Sequence, residues 1–367
     1  MSQVSDRSGA PIKVLVPKLP TASAIAPYLA RIDASRIYSN YGPLSREFSA
    51  SLSKLTGAAG VTLTCNGTAA IELALRAKSC SKGGICIMPA FTFIASTHAV
   101  CNAGLTPFLV EVDPDTLMVT PEIAEAALQQ LDTLPAAVLV VSAFGAPPDF
   151  DDWMAFEVKH GIPVVFDAAA AVTSVFDRVG AQPVCVSLHA TKVLGIGEGG
   201  AILSADADFT ESTTAMTGFG FLGSERLSAI RGGNYRISEY AAAVGLAALE
   251  ALPTRLDRLR LLIDAYATRL KNKEARLQPG AGDEWVTMTL NVVLPEKSVA
   301  STLDKLAAAG VEWRRWWGLG CHRHPAFADV PRTDLSATNS LAKCVIGLPF
   351  HEDLSEADID RVVACLP

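Results

Sequence analysis

Seven short runs rich in β-branched and apolar residues recur between residues 61 and 204, and helix-like stretches separate most of them. They are VTLT (61–64), ICIM (85–88), PFLV (107–110), AVLVVS (137–142), PVVF (163–166), PVCVSL (183–188) and AILS (201–204). AAIELALRAKS follows the first run and PEIAEAALQQL the third. Strands that are apolar on both faces need cover on both faces, and alternation with helices supplies it. The pattern therefore predicts an α/β fold built on a mostly parallel seven-stranded sheet flanked by helices.

From Ser238 the pattern turns helical. ISEYAAAVGLAALEAL is expected to stop at Pro253, and TRLDRLRLLIDAYATRLKNK to form a second helix that ends before Pro279 and Gly280. Beyond lie a strand (WVTMTLNVVL), a helix (SVASTLDKLAAAG), a Trp-rich segment, CVIGLPF and a last helix after Ser355, as in a smaller α+β domain. The expected division is a large domain over residues 1–250, N-terminal segment included, and a small C-terminal domain over 251–367. A chain of 367 residues, half of them apolar, can bury cores of that size.

A net charge of −7 with dispersed basic residues gives no stripe for nucleic acid, and no apolar run is long enough to cross a bilayer. The opening MSQVSDRSGA lacks the apolar core of a secretory signal, so a cytoplasmic protein is expected. Cys65, Cys80, Cys86, Cys101, Cys185, Cys321, Cys344 and Cys365 form no C-x-x-C pair and read as reduced, mostly structural residues.

Two strand ends carry chemistry. HGIPVVFDAAAA ends its apolar run in Asp167, and VSLHATKVLGIGEGGAILS places Ser187, Thr191 and Lys192 ahead of a glycine-rich turn. In open α/β sheets the carboxyl edge of the strands binds ligands. An acid and a lysine in this order suit a pyridoxal-phosphate (PLP) enzyme: lysine for the Schiff base, aspartate to keep the pyridine nitrogen protonated. A surface lysine before a flexible turn and a helix-capping aspartate are the plainer alternatives. TCNGTAAIELAL runs strand, turn, helix, so backbone N–H groups near Thr68 and Ala69 open a helix N-terminus where a phosphate fits; Thr68 as an ordinary N-cap is the alternative. MPAFTFIASTHAV offers Phe91 and Phe93 at the same edge, either for stacking on a ring or for core packing. GGNYRISEYAAAVG sets Asn234, Tyr235 and Arg236 in a loop before a helix, which also reads as a plain capping loop.

Together these segments resemble the DegT/DnrJ/EryC1/StrS family of fold-type-I PLP enzymes, the sugar aminotransferases. YSNYGPLSREF (38–48), TCNGTAAIELAL, PAFTFIAS, FGAPPDFDDW (144–153), HGIPVVFDAAAA, VSLHATKVLGIGEGGAI, GGNYRISEYAAAVGLAAL and GLPFHEDLSEADID (347–360) occur in family order over nearly the whole chain. The resemblance implies a homodimer with shared active sites, the Schiff-base lysine at Lys192 and the pyridinium partner at Asp167. It implies phosphate contacts from Thr68, Ala69, Ser187 and the partner subunit's Asn234, and ring stacking by Phe93. The implied reaction converts a nucleotide-linked keto-deoxysugar, a dTDP- or GDP-4-keto-6-deoxyhexose, into an amino sugar of the kind used in lipopolysaccharide O-antigen, with L-glutamate as amino donor.

Two features depart from the family pattern. Relatives carry Gln or His three residues after the aspartate, where this chain has Ala170. WRRWWGLGCHRHPAF replaces a shorter aromatic-and-proline stretch ending in His, which makes His322 the candidate for that residue. Tyr38, His322, Arg236 and Trp316 are the expected substrate contacts, with Arg314, Arg315, Trp317 and Arg231 as further supply for a nucleotide diphosphate. His322 and His324 without a carboxylate or Cys cluster make a poor zinc site, so no metal is expected. A pyridoxamine-phosphate-dependent sugar dehydratase would carry His in place of Lys192, and a non-catalytic regulatory relative has no need of the lysine; both rank below transamination.

Overall fold

The computed structural model describes residues 10–78, 83–223 and 226–367, so residues 1–9 and Cys80 lie outside the described residues. The seven expected strands form one sheet: β1 (Gly60–Thr64), β2 (Ile85–Pro89), β3 (Thr106–Val110), β4 (Ala137–Val141), β5 (Val164–Asp167), β6 (Val184–Ser187) and β7 (Gly200–Ser204). Their order is β1-β7-β6-β5-β4-β2-β3, with β7 antiparallel to both neighbours and every other pair parallel. Parallel neighbours need crossovers, and helices supply them on both faces.

Two helices precede the sheet, α1 (Ala22–Ser35) and α2 (Pro43–Thr56); α3 (Gly67–Lys78), α4 (Ile94–Asn102), α5 (Pro121–Leu128), α6 (Phe150–His160) and α7 (Ala207–Thr217) are interleaved with its strands. Side chains divide between the faces with the strand period of two. Val138, Val140, Val164, Phe166, Val184 and Val186 join the core under α2 and α6, with Phe48, Leu52 and Phe156. Leu139, Val165 and Cys185 point the other way, onto Leu73 and Ala74 of α3 and Val100 of α4.

A small hairpin, β8 (Phe221–Leu222) and β9 (Leu227–Ser228), leads to α8 (Glu239–Leu270). The predicted break at Pro253 does not occur: α8 is one helix of 32 residues with Pro253 inside it. An interior proline removes a backbone hydrogen bond and costs about 3 kcal/mol. Burial outweighs that cost, because Leu252, Leu256, Leu259, Leu262, Ile263, Tyr266 and Leu270 all sit in the C-terminal core, each worth about 1.5–3 kcal/mol for a large side chain.

That core lies between α8 and a three-stranded sheet of β10 (Arg276–Leu277), β11 (Leu290–Val293) and β12 (Val345–Leu348), with α9 (Val299–Ala308), α10 (Ser336–Cys344) and α11 (Glu356–Val363) around it. Ile12, from the start of the described chain, joins the same core and bridges to Val311. No described helix is long and apolar enough to cross a membrane.

Candidate functional site

The carboxyl ends of β1, β2, β4, β5 and β6 open onto a cavity of about 480 Å³, a size suited to a coenzyme with substrate. Asp167, the last residue of β5, is 4% exposed and lines it. Burial raises its carboxyl above the ordinary aspartate value. Three contacts pull the other way: the hydroxyl of Ser96 donates to Oδ2 at 2.6 Å, the N–H of Ala169 to Oδ1 at 3.1 Å, and Lys192 adds a favourable charge. Lys192 lines the same cavity; burial holds its ammonium below the ordinary lysine value, and the charge of Asp167 opposes that shift. Such a pair can present one anionic and one protonatable group to a single bound molecule.

The turn before α3 completes the polar wall. Thr68 and Ser187 line the cavity, and the first N–H groups of α3 have no intrahelical acceptor. Asn66 Oδ1 takes the N–H of Ala69 at 2.8 Å, which leaves Gly67 and Thr68 at the helix start. A Cβ on Gly67 would lie 2.9 Å from that of Ser187, so the missing side chain keeps the two walls of this cradle together. Phe93 lines the cavity and is 54% exposed, whereas Phe91 is core, packed edge-on against Phe144 and Trp317. Ala170 lines the cavity, and its carbonyl accepts from the hydroxyl of Thr287 at 3.0 Å.

The far wall comes from the C-terminal unit: Met288, Thr289, Arg314, Trp316 and Trp317. The guanidinium of Arg314 lies over the Trp316 ring at 5.2 Å, and Trp317 stacks on Phe144 at 3.9 Å.

Several expected site residues lie elsewhere. Ala69 spends its N–H on Asn66 rather than on the cavity. Tyr38 is 49% exposed and stacks on Tyr240. Asn234 pairs with Gly218 through its backbone, and its side-chain oxygen takes two bonds from Arg236. Arg236 itself sits over Phe219. His322 is buried against Asn339 at 2.8 Å and lines a separate surface pocket, because Cys321 anchors its segment to Ala90 O at 2.8 Å. Arg315 donates to the carbonyl of Lys343, and Arg231 accepts through its own carbonyl from Arg76. Among the described residues no group of three or more His, Cys, Asp or Glu could hold a metal.

Other residues enter the site unannounced. Asn66, Ser96, Ser142, His189 and Glu198 all line the cavity. The Ser142 hydroxyl is buried there without a partner among the described residues. Asn directly before a helix start is a cap signal, whereas nothing in the local sequence joins Ser96 to Asp167, 71 residues away.

A buried aspartate that closes β5 and a partly buried lysine in the loop after β6 share one cavity with a helix N-terminus, an arrangement that suits a PLP-dependent aminotransferase of the α/β class. The chain belongs to the DegT/DnrJ/EryC1/StrS aminotransferase family, whose sequence profile matches residues 21–367. It is 30% identical over 340 residues to GDP-perosamine synthase of Caulobacter vibrioides, covering 89% of this chain and 90% of that protein. It is 28% identical over 368 residues to protein Rv3402c of Mycobacterium tuberculosis, covering 97% and 89% respectively. The solved structure of DesI in the presence of its TDP-sugar product superposes with a TM-score of 0.83 at 30% identity, covering 97% of this chain and 92% of that one.

Proposed function

We propose that the protein transfers an amino group from L-glutamate to a nucleotide-linked keto-deoxysugar, a dTDP- or GDP-4-keto-6-deoxyhexose, with PLP as coenzyme. The observation that carries the reading is the Asp167–Lys192 pair on a single cavity. Family membership and the sugar-nucleotide relatives support it. The donor set fits the coenzyme: a helix start with Thr68 and Ser187 for its phosphate, Phe93 for its ring, and the unpartnered Ser142 hydroxyl for a polar edge. When bound, the coenzyme supplies an electron-accepting ring and an aldehyde carbon.

The chain supplies the rest. The Asp167 carboxylate holds a proton on the ring nitrogen, and Ser96 and Ala169 orient it. Lys192 Nζ, its basicity lowered by burial, would act as the base that accepts the proton lost by the donor's α-carbon and as the acid that delivers a proton to the acceptor carbon as it is aminated. Gly67 and Thr68 N–H groups with the Ser187 hydroxyl bind the phosphate. Arg314 and Trp316 receive the nucleotide diphosphate of the acceptor. The protein works in the cytoplasm as a homodimer, in which Asn234, turned away from its own cavity, serves the site of the other subunit.

A screen of amino donors against sugar-nucleotide ketones, read by mass spectrometry of the product, tests the reading. A product in which the ketone oxygen is replaced by an amino group, dependent on L-glutamate, is expected. Loss of water from the sugar without incorporation of nitrogen would instead favour the dehydratase.

A further inference from the structure

Lys192 lines two cavities: the large one and a second of about 30 Å³ lined also by Arg255, Met288, His351 and Glu352. The Arg255 side chain, from α8, is 12% exposed and ties together three distant stretches of chain. Its Nε donates to Glu352 Oε1 at 2.9 Å, its Nη1 to the carbonyl of Val193 at 2.8 Å, and its Nη2 to the carbonyl of Lys18. These partners lie 97, 62 and 237 residues away in sequence. Val193 directly follows Lys192 and is itself core. Arg258, one turn further along α8, holds the carbonyl of Glu352 at 3.0 Å, and Lys18 reaches the other Glu352 oxygen at 3.4 Å.

We propose that Arg255 is a positioning residue: its guanidinium clamps the Val193 carbonyl, one residue beyond Lys192, to α8, to the N-terminal segment and to the 351–354 turn, and so sets where the lysine amine stands in the cavity. Only a planar fork with several fixed N–H directions serves three acceptors at once; a lysine at this position is one point charge on a flexible stem. Val193, Leu194 and Ile196 seat the loop in the apolar cores, and Arg255 adds a polar tie from its backbone to α8. The loop's own turns rest on Ala190 N to Gly197 O at 2.7 Å, Lys192 N to His189 O at 2.8 Å and Ile196 N to Leu188 O at 2.8 Å. All three are internal to the loop and its flanks, so they fix its shape and not its place.

The role in turnover rests on the function proposed above, whereas the clamp itself is measurable without it. Hydrogen exchange of the coenzyme-free full chain, read by mass spectrometry on peptides covering 189–196 and 60–66, would be set beside steady-state kinetics. Arg255→Ala is expected to speed exchange over 189–196 by about tenfold with 60–66 unchanged, since local opening is separable from global unfolding. kcat should fall about tenfold to a hundredfold with the donor KM little changed, as for a misplaced reacting group. Arg255→Lys should recover little, and Glu352→Gln, which spares both carbonyl contacts, should stay near wild type in both readouts. Unchanged exchange over 189–196, or an equal rise in both peptides, would overturn the clamp. If Arg255→Ala fails to fold, the contrast between Arg255→Lys and Glu352→Gln in the same peptide decides. An inactive wild type would defeat the function while the exchange result still stands or falls by itself.

Discussion

The cavity has two walls of opposite character. The sheet wall is polar, and its groups sit where local backbone puts them: Asp167 and Ser187 end strands, Thr68 opens a helix, and Lys192 follows a tight turn. The C-terminal wall is aromatic and cationic, and its groups depend on pairing between segments far apart. Arg314 exchanges both backbone hydrogen bonds with Gly347 of β12, at 3.0 and 2.7 Å, and the Trp316 indole lies over the same glycine. If the function proposed above holds, the polar sheet wall faces the coenzyme and the aromatic, cationic wall faces the acceptor.

Breaking the sheet wall should have the largest effect. Lys192→Ala is expected to lower amino transfer by at least about a thousandfold, the scale of a lost acid–base group, while the melting temperature of the coenzyme-free protein barely moves. A Lys192→Ala protein that turns over near the wild-type rate would remove the distinction between the walls.

Breaking the other wall should be milder and selective. A Cβ on Gly347 would collide with the Trp316 indole nitrogen, so Gly347→Ala must displace the ring. Acceptor KM should rise about tenfold, the worth of a displaced aromatic contact, with the amino-donor half-reaction unchanged. Trp316→Ala should reproduce it. Equal losses in both half-reactions would show that the aromatic wall serves the coenzyme as well.

The smallest effect concerns stability. Asp167 has its folded-state pKa raised, chiefly by burial, so between the ordinary aspartate value and the raised one the folded protein holds more protons than the unfolded chain. Stability contributed by this group is full at low pH and is lost as pH rises through the raised value. In coenzyme-free protein Asp167→Asn does not titrate, so relative to wild type it should gain stability toward neutral pH and none in acid. Urea titrations at several pH values would measure it; a constant difference would mean that the carboxylate is fully compensated by Ser96 and Ala169.

The same contrast governs how much could be read from the sequence. All seven strands were legible within a residue or two of their ends, because a buried strand is a local apolar run. Their order was not, since nothing in β7 tells that it lies between β1 and β6. On the sheet wall Thr68, Phe93, Asp167, Ser187 and Lys192 all reach the cavity as expected. On the other side Trp316 and Arg314 line the cavity, whereas His322 lines a separate pocket, because Gly320 at φ +97° and the Cys321–Ala90 bond turn that segment aside. Ser96, His189 and Glu198 carried no distinguishing local signal. Pro253 misled because the rule for an isolated helix ignores the core that α8 crosses.

That unbroken helix has a consequence for the distance between the two walls. α8 enters the sheet core with Ala242, Ala243 and Leu246 and leaves through the C-terminal core with Leu256 to Leu270, so one rod about 48 Å long threads both. Its residues act as the pitch of a screw. One residue inserted between Leu246 and Leu256 would advance the C-terminal unit by about 1.5 Å and turn it by about 100°, carrying Trp316 and Arg314 off the mouth of the cavity. Loops elsewhere can change length without such an outcome; along this stretch the count of residues is itself the gauge that keeps the cavity open to the right width.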